Sequence, residues 1–167
     1  MEPLVEPQLI EYRRFVDSRG SLLKPWVYPG LLVNFEIRDL YISNSTQGVF
    51  RGLHMQVGTF AQSKFVAPLA GVIIDFVVDL RAGVPTYGSI KSFELSAEEN
   101  LGVYVPKGFG HGFYSKTSSM VINLSDTPYS PENESGVNPL SFREIQGLEN
   151  LIVSAKDQAL PLIEVNR

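Results

Sequence analysis

The sequence predicts an all-β protein, an antiparallel sandwich or small barrel, and three observations carry that expectation. Apolar residues recur with a period of two rather than 3.6, turn signals separate the runs at short intervals, and helix signals are few. Segments 31–38, 40–45, 49–56 and 63–69 fit as the first strands. "GVIIDFVVDL" (71–80) follows, rich in β-branched residues and bounded by Gly71 on one side and Arg81-Ala82-Gly83 on the other. "SIKSFELS" (89–96) and "LGVYVP" (101–106) alternate in the same manner, and 111–116 and 119–124 complete the set. One capped turn and one short helix are expected. "SAEEN" (96–100) has Ser96 followed by Glu99, the pattern of a capping box, and "SAKDQAL" (154–160) fits a terminal helix. From Pro128 onward Pro, Asn, Ser and Gly predominate, so the tail is expected to wrap the barrel in loops.

A chain of 167 residues without repeat, low-complexity tract or linker is expected to form a single domain, 1–167, with a core of its own. A formal net charge of −4 and no basic run argue against a nucleic-acid surface. Zero cysteines exclude disulfides and cysteine–zinc sites. The N-terminal "MEPLVEPQL" is acidic and broken by prolines, unlike a signal peptide, and "LAGVIIDFVVDL" is too short to span a bilayer. The expectation is a cytoplasmic protein with no membrane contact.

Chemistry concentrates around two histidines. In "FRGLHMQ" (50–56), strict alternation puts Phe50, Gly52, His54 and Gln56 on one face and Arg51, Leu53 and Met55 on the other. A regular strand therefore separates Arg51 from His54, and Gly52 is where a bulge could re-aim one of them. Facing one cavity, the pair would offer an anion anchor and a base of a type that titrates near neutrality. His111 lies in "VPKGFGHGFYSK" (105–116) between Gly110 and Gly112, where another backbone can come close. In 71–80, Asp75, Val77 and Asp79 share one face and Ile74, Phe76, Val78 and Leu80 the other. The acidic face of so β-branched a strand points either to solvent or into a wet barrel interior, and two carboxylates there favour the interior. Two histidines on separate strands lack metal-ligand spacing, so no metal and no cofactor are expected.

"GVFRGLHMQ", "DFVVDLRAGVPTYG", "VPKGFGHGF", "PYSPENE" and "SAKDQALP" follow one another in the order and spacing of the dTDP-4-dehydrorhamnose 3,5-epimerase family, which the chain resembles from about residue 12 to 163. The resemblance implies a metal-free cupin: a jelly-roll barrel, the double-stranded β-helix, with a few short helices, working as a homodimer on a nucleotide-diphosphate sugar. It implies that His54 is the base that removes the proton alpha to a 4-keto group and that Asp157 pairs with it. By the same resemblance Lys64 stabilises the enolate oxygen, and Asp75 neighbours that lysine. Arg51, Arg19 and His111 are implied substrate-binding positions, with Arg19 donated by the partner subunit. Gln56, Asn123 and Tyr129 complete the implied binding set.

The family returns the proton from a tyrosine six residues before the tyrosine of "PYSP", and here that position is Asn123. An amide cannot act as a general acid at neutral pH. Tyr41 and Tyr114 are the alternatives, although strand parity turns Tyr114 away from His111. Leu22, Lys24, Asp39 and Tyr41 replace an aromatic, a glutamate, a glutamine and an asparagine of the family's nucleotide-binding parts. The implied activity is epimerisation of an NDP-4-keto-6-deoxy-hexose at C3, C5 or both, in deoxysugar or polysaccharide biosynthesis. Two alternatives stay open: a 3,4-ketoisomerase, which needs no opposite-face acid, and a sugar-nucleotide-binding paralogue without turnover.

Overall fold

The computed structural model describes residues 5–25 and 35–164. Eight strands fall where alternation and turn signals place them: β4 (Asp39–Ser45), β5 (Val49–Gln56), β6 (Lys64–Ala70), β7 (Val72–Asp79), β8 (Ile90–Ser96), β9 (Leu101–Val105), β10 (Phe109–Ser115) and β11 (Ser119–Ser125). Five more lie outside the expected set: β1 (Gln8–Glu11), β2 (Arg13–Asp17), β3 (Gly20–Lys24), β12 (Glu134–Gly136) and β13 (Ile152–Val153). They are short or largely exposed, so their apolar alternation is too brief to read. Of the strand expected at 31–38, residues 31–34 lie outside the described set and 35–38 form none. Phe35 instead lays its ring edge-on against Tyr104, centroids 6.3 Å apart, as a cover for the core.

One sheet runs β1-β9-β6-β11-β4 and the other β12-β5-β10-β7-β8, with β13 added parallel to β5. The inner faces pack together. Val66, Val103, Val105 and Val121 of the first sheet meet Ile73, Val77, Leu95, Phe109 and Phe113 of the second. This is the all-β jelly-roll expected. The outer face of the first sheet is closed by Ile10 and Tyr12, and that of the second by the tail, through Val137, Phe142 and Ile145. Phe76 and Val78 point outward into that second cluster, so Asp75 and Val77 point inward. Asp75 therefore takes the interior reading. Asp79, at the strand's end, is spent on Arg81 (2.6 Å) and Thr86 (2.6 Å).

Residues 97–100 form the expected turn: Glu98 N–H donates to Ser96 Oγ (3.3 Å), and Ser96 N–H donates to Glu99 Oε2 (3.3 Å), the reciprocal bond of a capping box. The bonds are local and need no helix beyond them. α1 (Arg143–Gln146) is a further short helix, and α2 (Ala155–Gln158) is the expected terminal one, capped by Ser154 Oγ accepting from Asp157 N–H at 3.1 Å. No helix among the described residues is long and apolar enough to cross a membrane.

Candidate active site

The bulge at Gly52 is real and builds the site. Arg51 pairs with Phe113 and His54 with His111, so two residues of β5 oppose the single Gly112 of β10. The shift turns both Arg51 and His54 inward, while Leu53 goes out to the tail. Gly52 has φ +117°, and a Cβ there would lie 2.5 Å from the His111 carbonyl oxygen and 2.6 Å from Gly112 Cα. Gly112 has the reciprocal reason: its Cβ would lie 2.5 Å from the Arg51 carbonyl oxygen.

These strands line a cavity of about 840 Å³, within the size range of small-molecule sites. On one wall, His54 Nε2 stands 2.8 Å from Asp157 Oδ1, and Asp157 Oδ2 accepts from Gly52 N–H at 3.3 Å. Burial pushes the Asp157 carboxyl up, but His54, Gly52 and Ser154 outweigh it and hold it below the usual carboxylate range. The other ring nitrogen, Nδ1, is 3.8 Å from Glu134 Oε1, too far for a hydrogen bond. That nitrogen is open to the cavity. Beside this pair, His111 Nε2 meets Asp75 Oδ2 at 2.7 Å, and Asp75 Oδ1 has no partner among the described residues.

On the facing wall Lys64 is buried, and among the described residues its ammonium makes no hydrogen bond or ion pair. Burial lowers its pKa to about 8, against the pull of Glu134 and Asp75, so it is mostly cationic at pH 7. Arg51 is braced by Ser45 Oγ (2.9 Å) and the Asn44 carbonyl (3.1 Å). Asn123 also lines the cavity, and so does Tyr129 at its rim. Among the described residues no three His, Cys, Asp or Glu cluster as metal ligands would.

Three more of the residues singled out from the sequence have partners of their own. Gln56 reaches the cavity, but its amide donates to the Phe60 and Pro128 carbonyls (3.0 and 3.1 Å) and accepts from Ser130 N–H (2.6 Å). It fastens the loop that carries Tyr129. Arg19 does not line this chain's cavity; it lies exposed on the β2–β3 hairpin, paired with Asp17 at 2.6 Å. Tyr114 turns outward and donates to the Glu149 carbonyl (2.7 Å), as parity predicts. Sequence reasoning missed Glu134. Its Oε2 accepts from Lys156 Nζ (2.6 Å) and Tyr129 Oη (3.2 Å), and these partners keep its carboxyl low despite burial. The one signal was its place at the end of "PYSPENE"; the three-residue strand that seats it beside Gln56 has no readable period.

The family model for dTDP-4-dehydrorhamnose 3,5-epimerase matches residues 2–164. A dTDP-4-dehydrorhamnose 3,5-epimerase of Salmonella typhimurium is 36% identical over 168 residues, covering 93% of this chain and 90% of that protein. Among solved structures, the Legionella pneumophila 3,5-epimerase in complex with dTDP-4-keto-L-rhamnose superposes with a TM-score of 0.83 at 32% identity, covering 93% of this chain and 87% of that one. A 3'-monoepimerase from Streptomyces bikiniensis in complex with dTDP-quinovose gives 0.84 at 26% identity, covering 99% and 88%.

Proposed function

The chain belongs to the dTDP-4-dehydrorhamnose 3,5-epimerase family, and from that premise we propose how its residues divide the work. It is an isomerase, an epimerase of nucleotide-linked deoxysugars. The substrate is an NDP-4-keto-6-deoxy-hexose, with the sugar in the cavity between the two walls. His54 removes the proton alpha to the ketone through the nitrogen that Asp157 leaves open, and Asp157 fixes the ring and stabilises the imidazolium. The electron pair moves onto the C4 oxygen, where Lys64 meets the developing charge. A fixed cation placed where charge appears is often the largest catalytic contribution. His111, held by Asp75, binds the sugar, and Arg51 takes the diphosphate.

The observation that carries this reading is the opposition of the Asp157-held His54 on one wall to a buried ammonium on the other that has no partner among the described residues. A sugar-binding protein without turnover needs neither. The test is incubation with an NDP-4-keto-6-deoxyglucose in D2O, followed by NMR of the sugar. Deuterium at C3 or C5 with inverted configuration is expected. A 3-keto product would instead establish the ketoisomerase, and binding without exchange at any carbon would sink both enzyme readings.

A single domain, residues 1–167, carries this chemistry, and we assign it to the cytoplasm and to a homodimer. The β2–β3 hairpin is a separate two-stranded sheet that exposes Phe15, Val16 and Leu22. A second copy covering those side chains would bury them and bring the exposed Arg19 to its own site. Sedimentation of wild type against Val16→Asp tests the dimer.

A further inference from the structure

The resemblance leaves the second proton unassigned, since position 123 carries an amide. On the sheet wall opposite His54, Asn123 of β11 pairs directly with Tyr41 of β4. Directly opposed residues leave a sheet on the same face with Cβ atoms about 4.5–5.5 Å apart, and both of these line the cavity. Other phenols among the described residues are accounted for elsewhere. Tyr114 is bound to the Glu149 carbonyl on the outer face, Tyr12 and Tyr104 pack outside the first sheet, and Tyr87 does not line the cavity. Tyr129 donates a hydrogen bond to Glu134 Oε2 at 3.2 Å. The Tyr41 hydroxyl makes no hydrogen bond among the described residues.

We infer that Tyr41 is the proton donor of this epimerase, one strand over from the position the amide occupies. The inference rests on the epimerase reading. His54 takes the proton from one face of the sugar carbon and the electron pair passes to the C4 oxygen beside Lys64. The enediolate then collapses, its carbon taking the Tyr41 Oη proton on the opposite face. The phenolate is reprotonated by water, and His54 loses its extra proton to water, so protons balance over the cycle. The requirement for inversion is two groups on opposing walls, and β5 and β4 belong to the two facing sheets. Tyr41 is 49% exposed, yet desolvation at the cavity wall, with Asp39 and Glu134 nearby, holds its phenol above the ordinary tyrosine value against the opposing influence of Arg51. It therefore meets each substrate with its proton in place.

The test uses the full-length protein with dTDP-4-keto-6-deoxyglucose in D2O. Wild type is expected to incorporate deuterium with inversion. Tyr41→Phe is expected to keep exchange with retained configuration within about threefold, because His54 still works, while inversion falls at least about a hundredfold. Tyr41→Phe combined with Asn123→Tyr is expected to recover inversion at least tenfold over Tyr41→Phe. Thermal melting of each variant checks folding, and Tyr41→Gln repeats the test should the Phe variant melt early. Inversion by Tyr41→Phe near the wild-type rate would overturn the assignment. So would loss of exchange and inversion together in a folded variant, which would make Tyr41 a binding group. Wild type with neither exchange nor inversion would overturn the epimerase reading instead.

Discussion

Two histidine–aspartate pairs lie side by side in this cavity and differ in almost everything except their length. His54 and His111 are cross-strand partners, and each Nε2 approaches a carboxylate oxygen, at 2.8 and 2.7 Å. The His54 side chain is 26% exposed, and its partner's carboxyl is held low by the hydrogen bonds that Asp157 accepts. The His111 pair is sealed, at 5% and 0%; burial pushes Asp75 up despite His111 and Lys64, and one carboxylate oxygen is left unpartnered. The same two residue types thus form a half-open pair that suits the proposed base and a sealed pair behind it. Burial and the count of hydrogen bonds, rather than residue identity, decide which is which.

The strongest attempt to break this contrast is His54→Gln, expected to lower turnover by about 10²–10⁴-fold and to abolish solvent exchange. Exchange at the wild-type rate, followed by NMR in D2O, would move the base to His111. Lys64→Met, which keeps the stem and removes the charge, is expected to cost about 10²–10³-fold in kcat. In the wild type, kcat is expected to fall as pH rises through about 8, because a lysine whose pKa is lowered there loses its proton and its charge. Asp75→Asn removes an anion that helps Lys64 keep its proton, so this falling limb should move to lower pH; Glu134→Gln should move it further, Glu134 being the stronger influence. A pH profile that does not move would sever the buried pair from Lys64.

Asp75→Asn should also cost about 1–3 kcal/mol of stability in a chemical denaturation series, since it breaks a sealed hydrogen-bonded pair. Gly52→Ala is expected to cost a comparable amount, about 1–3 kcal/mol, by forcing apart the strands that hold the two histidines together. It should lower kcat as well, because Arg51 and His54 share the bulge. At the bottom of the scale, Lys116→Ala breaks an exposed ion pair to Glu94 and should leave Tm within about 2 °C. A larger drop would mean that this pair contributes more than an exposed ion pair ordinarily does.

Much of the site was legible because strand parity is local. It set Asp75 on the face opposite Phe76 and Val78, turned Tyr114 away from His111 and singled out Gly52 as the bend that reconciles Arg51 with His54. Asp157 is different. It stands 103 residues from His54, and no pattern within a window of sequence links them; the family resemblance supplied it and the fold closes the distance. Glu134 had neither aid. Gln56 shows the reverse failure: parity put it on the right face but could not show that the loop at Pro128–Ser130 uses up its amide.

By itself the sequence determined the eight principal strands, most of the faces they present and the identity of the groups with acid–base chemistry, because period-two burial and turn residues act over a few neighbours. Only the tertiary structure decided which of those groups share a cavity, which are sealed and which stay open, and that Tyr41 stands beside Asn123 on the wall across from His54. Those outcomes follow from pairing between distant strands and from desolvation, and both depend on atoms that no local stretch of chain contains.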